Sequence, residues 1–294
     1  MSLPPVALQV ERNLTHPTRS SFKPLDYFDV TVEPRLSTAW LVSRATAPVS
    51  YTVPVLQELV TFGTQMRSLG ASAPGFVIYG SGRPHVFSLG GHLDYFQSCL
   101  AMGDETALFN YANLSIDAVW NAISGFDLDH TVTVAVVQGD ALGGGFEAAL
   151  ACNVLVAEKG AVFGFPEALF GLFPGMGGAR LMECRGARDL GLTLIRNAAK
   201  ISAEELYEAG VVDYLAPTGQ GMEIATEVCQ NERSSFIKLR KKRFSRIRKA
   251  DLRSTARHWA EQAMLLGKKE VKTIGYLSQA QSRLFRLAPS IRVV

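Results

Sequence analysis

Glu147 closes the run Ala141-Leu142-Gly143-Gly144-Gly145-Phe146, and Glu167 closes Phe163-Gly164-Phe165-Pro166 twenty residues later. A helix starting near Gly144 begins with unpaired N–H groups and a partial positive charge. Its first turn then carries Glu147, so the Gly144 amide and the Glu147 carboxylate share one end of one rigid element. A second amide is offered by Gly91, after the turn Ser88-Leu89-Gly90. Two converging amides would hold a carbonyl oxygen as it gains negative charge, and one such donor contributes about 3–4 kcal/mol in a transition state. Glu167 follows a proline that presets its backbone, among Phe163, Phe165, Leu169 and Phe170. A carboxyl in apolar surroundings titrates high, and two carboxyls sharing a site drive one higher still. That pairing supplies an acid and a base near neutral pH, for chemistry at or beside a carbonyl group.

Other uses of these residues stay open at this level. A glutamate in a first helical turn also serves as a dipole partner, and a glycine triplet also makes a tight turn. Gly143 to Ala148 fits the dinucleotide pattern G-x-G-x-x-[GA], but Asp140-Ala141-Leu142 separate it from the preceding strand. The strand at Asn153 to Ala157 also ends too soon for the usual acidic partner. His92 beside the first turn reads as a substrate contact or an ordinary hydrogen-bonded histidine, while His85 and His130 sit at loop edges. No His/Asp/Glu spacing suggests a metal, and no serine-centred nucleophile motif is present.

The elements that must position these groups follow from periodicity and punctuation. Asp29–Glu33 and Ala39–Ser43 read as strands joined at Pro34-Arg35. Val53–Leu69 has helical apolar spacing and stops at Gly70. Gly75–Tyr79 is a buried strand, Leu93–Ala101 and Leu108–Ile123 are helices, and Thr131–Val137 is an alternating strand before the glycine triplet. A helix through Leu150 and short strands at Asn153–Ala157 and Ala161–Gly164 come next. Phe173-Pro174-Gly175-Met176-Gly177-Gly178 marks another helix start, and Ser202-Ala203-Glu204-Glu205 a capped one. Val211–Leu215 reads as a last strand, and 217–288 as helices. Repeated strand-plus-helix units ahead of a helical end predict an α/β architecture. Residues 1–25 read as an N-terminal arm, 26–220 as the core domain, and 221–294 as a helical oligomerisation or lid region.

These segments resemble the enoyl-CoA hydratase/isomerase (crotonase) superfamily. The match runs from Gly75–Gly91 through Ala141–Cys152, Phe163–Glu167 and Phe173–Gly178 to Ser202–Pro217, within roughly residues 28–220. The resemblance implies a crotonase-like spiral of ββα units with a helical C-terminal region, assembled as a homotrimer or hexamer. It implies acyl thioester substrates, oxyanion amides at Gly91 and Gly144, and acid/base carboxylates at Glu147 and Glu167. Substrate contacts are expected at Leu89, Gly90, Gly143, Phe165, Pro174, Gly175 and Met176. No metal or cofactor is expected beyond the coenzyme A or phosphopantetheine carried by the substrate. Keeping both glutamates favours adding or removing water over a simple double-bond shift. The turn Leu89-Gly90-Gly91-His92 departs from the usual Ala-Gly-Ala-Asp of hydratases. With Gly143–Leu150, Leu172–Gly177 and the stretch Gln279-Ala280-Gln281-Ser282-Arg283, it is more similar to the diffusible-signal-factor synthases. Members of that subgroup dehydrate a 3-hydroxyacyl chain on acyl carrier protein to a cis-2-enoyl chain, then hydrolyse the thioester. The alternative is an enoyl-CoA hydratase or isomerase acting on acyl-CoA.

Composition sets the outer bounds. The 294-residue chain, 47% hydrophobic and 19% charged, is that of a globular protein able to bury a large core. No apolar run reaches the ~18 residues of a membrane span, and Met1–Lys23 lacks the apolar stretch of a secretory signal. Four scattered cysteines fit no zinc spacing and suit a reducing, cytoplasmic setting. Net charge is +3, yet Glu232–His258 alone carries +9, leaving −6 on the rest. On a helical wheel, residues 236–253 form an amphipathic basic helix. It is either a solvated face or a dock for acidic acyl carrier protein or coenzyme A phosphates, with RNA or a membrane surface as rival partners and no DNA expected.

Overall fold

Parallel pairing is what brings the chemistry-bearing segments of this chain together. A computed structural model describes residues 22–231 and 241–286. One sheet runs β1 (Phe28–Glu33), β2 (Thr38–Ser43), β3 (Phe76–Ser81), β5 (Val132–Val137), β7 (Val154–Glu158), β10 (Tyr214–Ala216), antiparallel only between β1 and β2. The second runs β4 (Val86–Ser88), β6 (Asp140–Leu142), β8 (Val162–Gly164), β9 (Lys200–Ser202), antiparallel only between β8 and β9. Each successive strand pair, β3–β4, β5–β6 and β7–β8, gives one strand to each sheet before the chain turns helical. The spiral of ββα units expected from the sequence is therefore present.

The helices are α1 (Val53–Leu69), α2 (Leu93–Met102), α3 (Glu105–Ser124), α4 (Gly144–Ala151), α5 (Gly178–Cys184), α6 (Arg188–Asn197) and α7 (Ala203–Glu208). They continue with α8 (Gly221–Asn231), α9 (Lys249–Ala263) and α10 (Lys268–Arg286). Local signals set several of these. Thr52 caps α1 through the Val55 amide and Gly70 follows its end, as the spacing predicts. Ser202 and Glu205 form the expected capping box on α7.

Four expectations change. The strand at β5 does not alternate, because all six residues are buried between layers, as suits a central parallel strand. Strands β4, β6 and β9 are three residues each, too short to carry a periodic signal. The last strand begins at Tyr214, while Val211 and Val212 are buried in the approach to it. The basic segment 236–253 is not one helix. Residues 236–240 lie outside the described residues, 243–246 form turns, and α9 starts only at Lys249. Phe244 and Ile247 point inward there, both buried in the main core.

Residues 1–21 of the expected arm lie outside the described residues. Phe22 and Leu25 are buried, and Phe22 stacks on Phe62 of α1. At the other end, Leu252, Ala256, Trp259 and Ile274 join the same core as Phe146, Leu150 and Phe163. The C-terminal helices thus pack directly on the elements that carry the glutamates.

Candidate active site

The ladder of the second sheet decides where three loops end. Ser88 pairs with Ala141, and Leu142 pairs with Gly164. Because β4, β6 and β8 run parallel, their C-terminal ends lie side by side. The turns that follow, Leu89–Gly91, Gly143–Gly145 and Phe165–Glu167, therefore converge on one place.

They meet closely enough that only glycine serves. Gly90 has φ +80°, and a Cβ there would stand 2.6 Å from the Leu142 carbonyl oxygen and 2.7 Å from the Gly144 nitrogen. A Cβ on Gly144 would lie 3.6 Å from the Gly91 nitrogen, so the two expected amides flank the same spot. Gly144 opens α4, which leaves its N–H without an intrahelical acceptor. Among the described residues neither the Gly91 nor the Gly144 N–H has a hydrogen-bond acceptor.

Glu147 lies in the first turn of α4 and is buried. Its Oε1 accepts from the Met176 N–H at 2.9 Å and the Gly178 N–H at 2.8 Å. Both amides come from the loop Pro174–Gly178 that leads into α5. Glu167 lies in a short 3-10 turn (Pro166–Phe170) and is buried as well. Its Oε1 lies so near Gly143 that a Cβ there would come within 2.7 Å. Its Oε2 is buried with no hydrogen-bond partner among the described residues. A buried carboxyl oxygen left unpaired is costly, which marks it as a group awaiting a partner. Burial holds both carboxyls well above the usual carboxylate range. For Glu147 the two amides pull back toward the charged form. For Glu167 the neighbouring Glu147 charge pushes further up. The two amide donors favour the charged form at Glu147 over Glu167, which lacks both donors.

Both glutamates line one cavity of 330 Å³, together with Leu89, Gly91, Gly143, Gly144, Gly175 and Met176. Three expected contacts stand behind this wall. Phe165 stacks on Phe146 in the core, Gly90 supports the turn, and Pro174 packs against the start of α5. His92 precedes α2 without capping it through its side chain, and its amide donates to the Tyr111 hydroxyl. Burial lowers its imidazole. Sequence reasoning missed much of the rest of the wall: Tyr51, Phe96, Asp140, Lys200, Trp259, Leu277 and Gln281. These lie on elements distant in sequence, and no local pattern announces them. Asp140 is raised by burial and drawn back by Lys200 and His85, and with Lys200 it adds a charged edge to the cavity wall.

This constellation defines a class: a cavity in which two buried carboxyls lie beside two backbone N–H groups without an acceptor among the described residues. The family described as enoyl-CoA hydratase/isomerase matches residues 67–273, and the chain belongs to that family. It is 38% identical over 113 residues to the probable mitochondrial enoyl-CoA hydratase 2 of Arabidopsis thaliana, covering 37% of this chain and 38% of that one. It is 35% identical over 95 residues to the 2,3-dehydroadipyl-CoA hydratase of Escherichia coli, covering 32% and 37%. The matched stretches thus span well under half the length of these relatives. Among solved structures, an enoyl-CoA hydratase from Bacillus halodurans superposes with TM-score 0.69 at 17% identity, over 85% of this chain and all of that one. Pseudomonas aeruginosa DspI superposes with TM-score 0.63 at 21% identity, over 92% and 98%. At such identities the superpositions speak to the fold, which is crotonase-like.

Proposed function

We propose that this protein adds water to, or removes it from, the C2–C3 bond of an acyl thioester. The observation that carries this is the contrast within the buried pair: Glu147 is anchored by two amides, while Glu167 presents an unpaired oxygen, both beside the Gly91 and Gly144 N–H groups. In the hydration direction the thioester oxygen sits between the two amides. Ionised Glu147 takes a proton from water as its oxygen bonds C3. The C2–C3 π pair shifts toward the thioester as an enolate, and Glu167 delivers its proton to C2. Glu147 then holds the proton taken from water and Glu167 is ionised, having given its own to C2; dehydration runs the same steps backward. The amides act where charge develops, which is where preorganised donors lower a barrier most. Leu93, Phe96, Phe170, Trp259 and Leu277 give the acyl chain an apolar wall. Coenzyme A or phosphopantetheine enters as part of the substrate, and proton transfer needs no further cofactor.

A finer reading places this chain with dehydratases of carrier-bound 3-hydroxyacyl chains that also release the free 2-unsaturated acid, as in diffusible-signal-factor synthesis. It is supported by Leu89-Gly90-Gly91-His92 where hydratases read Ala-Gly-Ala-Asp. With the oxygen still held, water activated by a carboxylate attacks the thioester carbon, and the thiol leaves with a proton. Product analysis separates the two. Incubation with a 3-hydroxyacyl carrier protein gives free unsaturated acid in the finer reading and an intact enoyl thioester in the coarser one. Failure to hydrate any 2-enoyl-CoA or to dehydrate any 3-hydroxyacyl thioester overturns both.

A further inference from the structure

The backbone of the first oxyanion turn is tied at nearly every polar atom. Leu89 N–H donates to Val49 O at 2.7 Å, and Gly90 N–H to Ser88 Oγ at 3.2 Å. Gly90 O accepts from Tyr51 N–H at 2.8 Å, and His92 N–H donates to the Tyr111 hydroxyl at 3.1 Å. The remaining carbonyls, Leu89 O and Gly91 O, both accept from Nε2 of Gln281, each at 3.0 Å. The same side chain's Oε1 accepts from Leu93 N–H at 3.5 Å. Two carbonyl acceptors on one amide atom require that atom to be the nitrogen, so the orientation of Gln281 follows from its surroundings. What this leaves over is the Gly91 N–H, on a residue that lines the cavity.

Gln281 sits on α10, about 190 residues away in sequence, and lines the cavity itself. The helix is fastened alongside by Ser278 to Asp94 and by Gln97 Nε2 to Val271 O at 3.4 Å. We propose that Gln281 is a positioning residue for the oxyanion hole, making the docking of the C-terminal helix a condition of turnover. Its two N–H groups hold the peptide planes on either side of Gly90–Gly91, which sets where the Gly91 amide points. This rests on the reading of that amide as an oxyanion donor.

The test compares wild type with Gln281→Met, which keeps length and packing, and Gln281→Glu, which keeps the acceptor and loses both donors. A short 2-enoyl-CoA is the probe, followed by steady-state kinetics and by the infrared carbonyl stretch of the bound thioester. The expected result is a kcat lower by roughly 10- to 100-fold, since a misplaced donor forfeits part of the 10²–10³ that its removal costs. KM should move little, and the carbonyl stretch should lose part of its wild-type shift. Variants that keep both kcat and the carbonyl shift overturn the proposal, as does a fall in kcat with the shift unchanged. A wild-type protein that leaves the carbonyl stretch unmoved overturns the reading of the site along with it. Should Gln281→Met fail to fold, Gln281→Glu carries the same comparison.

Discussion

Glu147 and Glu167 are chemically identical residues held in different surroundings. One oxygen of Glu147 is committed to two backbone amides, which favours its charge. Glu167 has an apolar setting, a charged neighbour and an unpaired oxygen. Glu147→Gln and Glu167→Gln should each lower kcat by about 10²–10⁴, the usual worth of a positioned acid or base, with KM changed far less. The pH profile of kcat/KM in hydration should be bell-shaped. Activity falls at low pH as Glu147 gains a proton and at high pH as Glu167 loses one, and both limbs lie above the ordinary carboxylate range. The same shifts bear on stability. The folded chain binds these protons more tightly than the unfolded one, so stability falls as pH rises from the ordinary carboxylate range through the raised values. Glu167→Gln removes the part of that loss that belongs to Glu167. Its melting temperature should match wild type near pH 4 and exceed it progressively toward pH 9, as thermal denaturation at several pH values would register.

At the level of elements, the site depends on keeping α4 and the strand after it in place. Arg185, at the end of α5, is fully buried and donates to the carbonyls of Leu150, Cys152 and Val211. Asp213 answers its charge at 3.1 Å, pairs with Arg243 at 3.0 Å, and accepts from Leu155 N–H at 2.8 Å. This network joins the C-terminus of α4 to β7, α5 and the approach to β10. Asp213→Ala leaves a buried guanidinium without its counter-charge and should cost about 3–5 kcal/mol, measured by urea denaturation. Activity per folded molecule should survive, because the network lies outside the cavity. The basic segment changes meaning at this scale as well. Lys241 donates to the Leu128 and Asp129 carbonyls, and Lys249 and Arg253 pair with Asp117 of α3. Several charges that read as a docking stripe instead pin the C-terminal helices onto the core.

For the molecule as a whole, the surplus positive charge is concentrated along the sequence in Glu232–His258, against −6 on the rest, and within that stretch Lys242 and Arg246 are exposed. Opposite charge speeds encounter with an acidic carrier protein. Lys242→Glu with Arg246→Glu should slow turnover of a carrier-bound substrate at low salt and spare a small coenzyme A thioester. Equal loss on both substrates would remove docking from the account. The homotrimer or hexamer implied by the family resemblance predicts a mass near three or six times 32.0 kDa in analytical ultracentrifugation. The exposed apolar side chains Met102, Leu265 and Tyr276 are available to such an interface. Among the described residues no helix is long and apolar enough to cross a membrane.

Sequence alone fixes what is local or carried by a motif here. The long helices α1 and α3, the capped start of α7, and the glycine turns ahead of both glutamates follow from spacing and backbone freedom. So does the choice of Glu147, Glu167 and the Gly144 amide as candidates, because Gly143–Glu147 and Pro166–Glu167 carry their chemistry in consecutive residues, but their meeting with Gly91 depends on the second sheet. Tertiary structure decides the rest. The three-residue strands β4, β6 and β9 exist only because neighbouring strands complete their hydrogen bonds, and the fully buried β5 shows its two covered faces only once the layers close. It also makes the two glutamates unlike, since amide donors from Met176 and Gly178 reach Glu147 across 29 and 31 residues. Gln281 reaches the oxyanion turn across 190. Contacts of that range depend on how the chain is packed, which no window of neighbouring residues records.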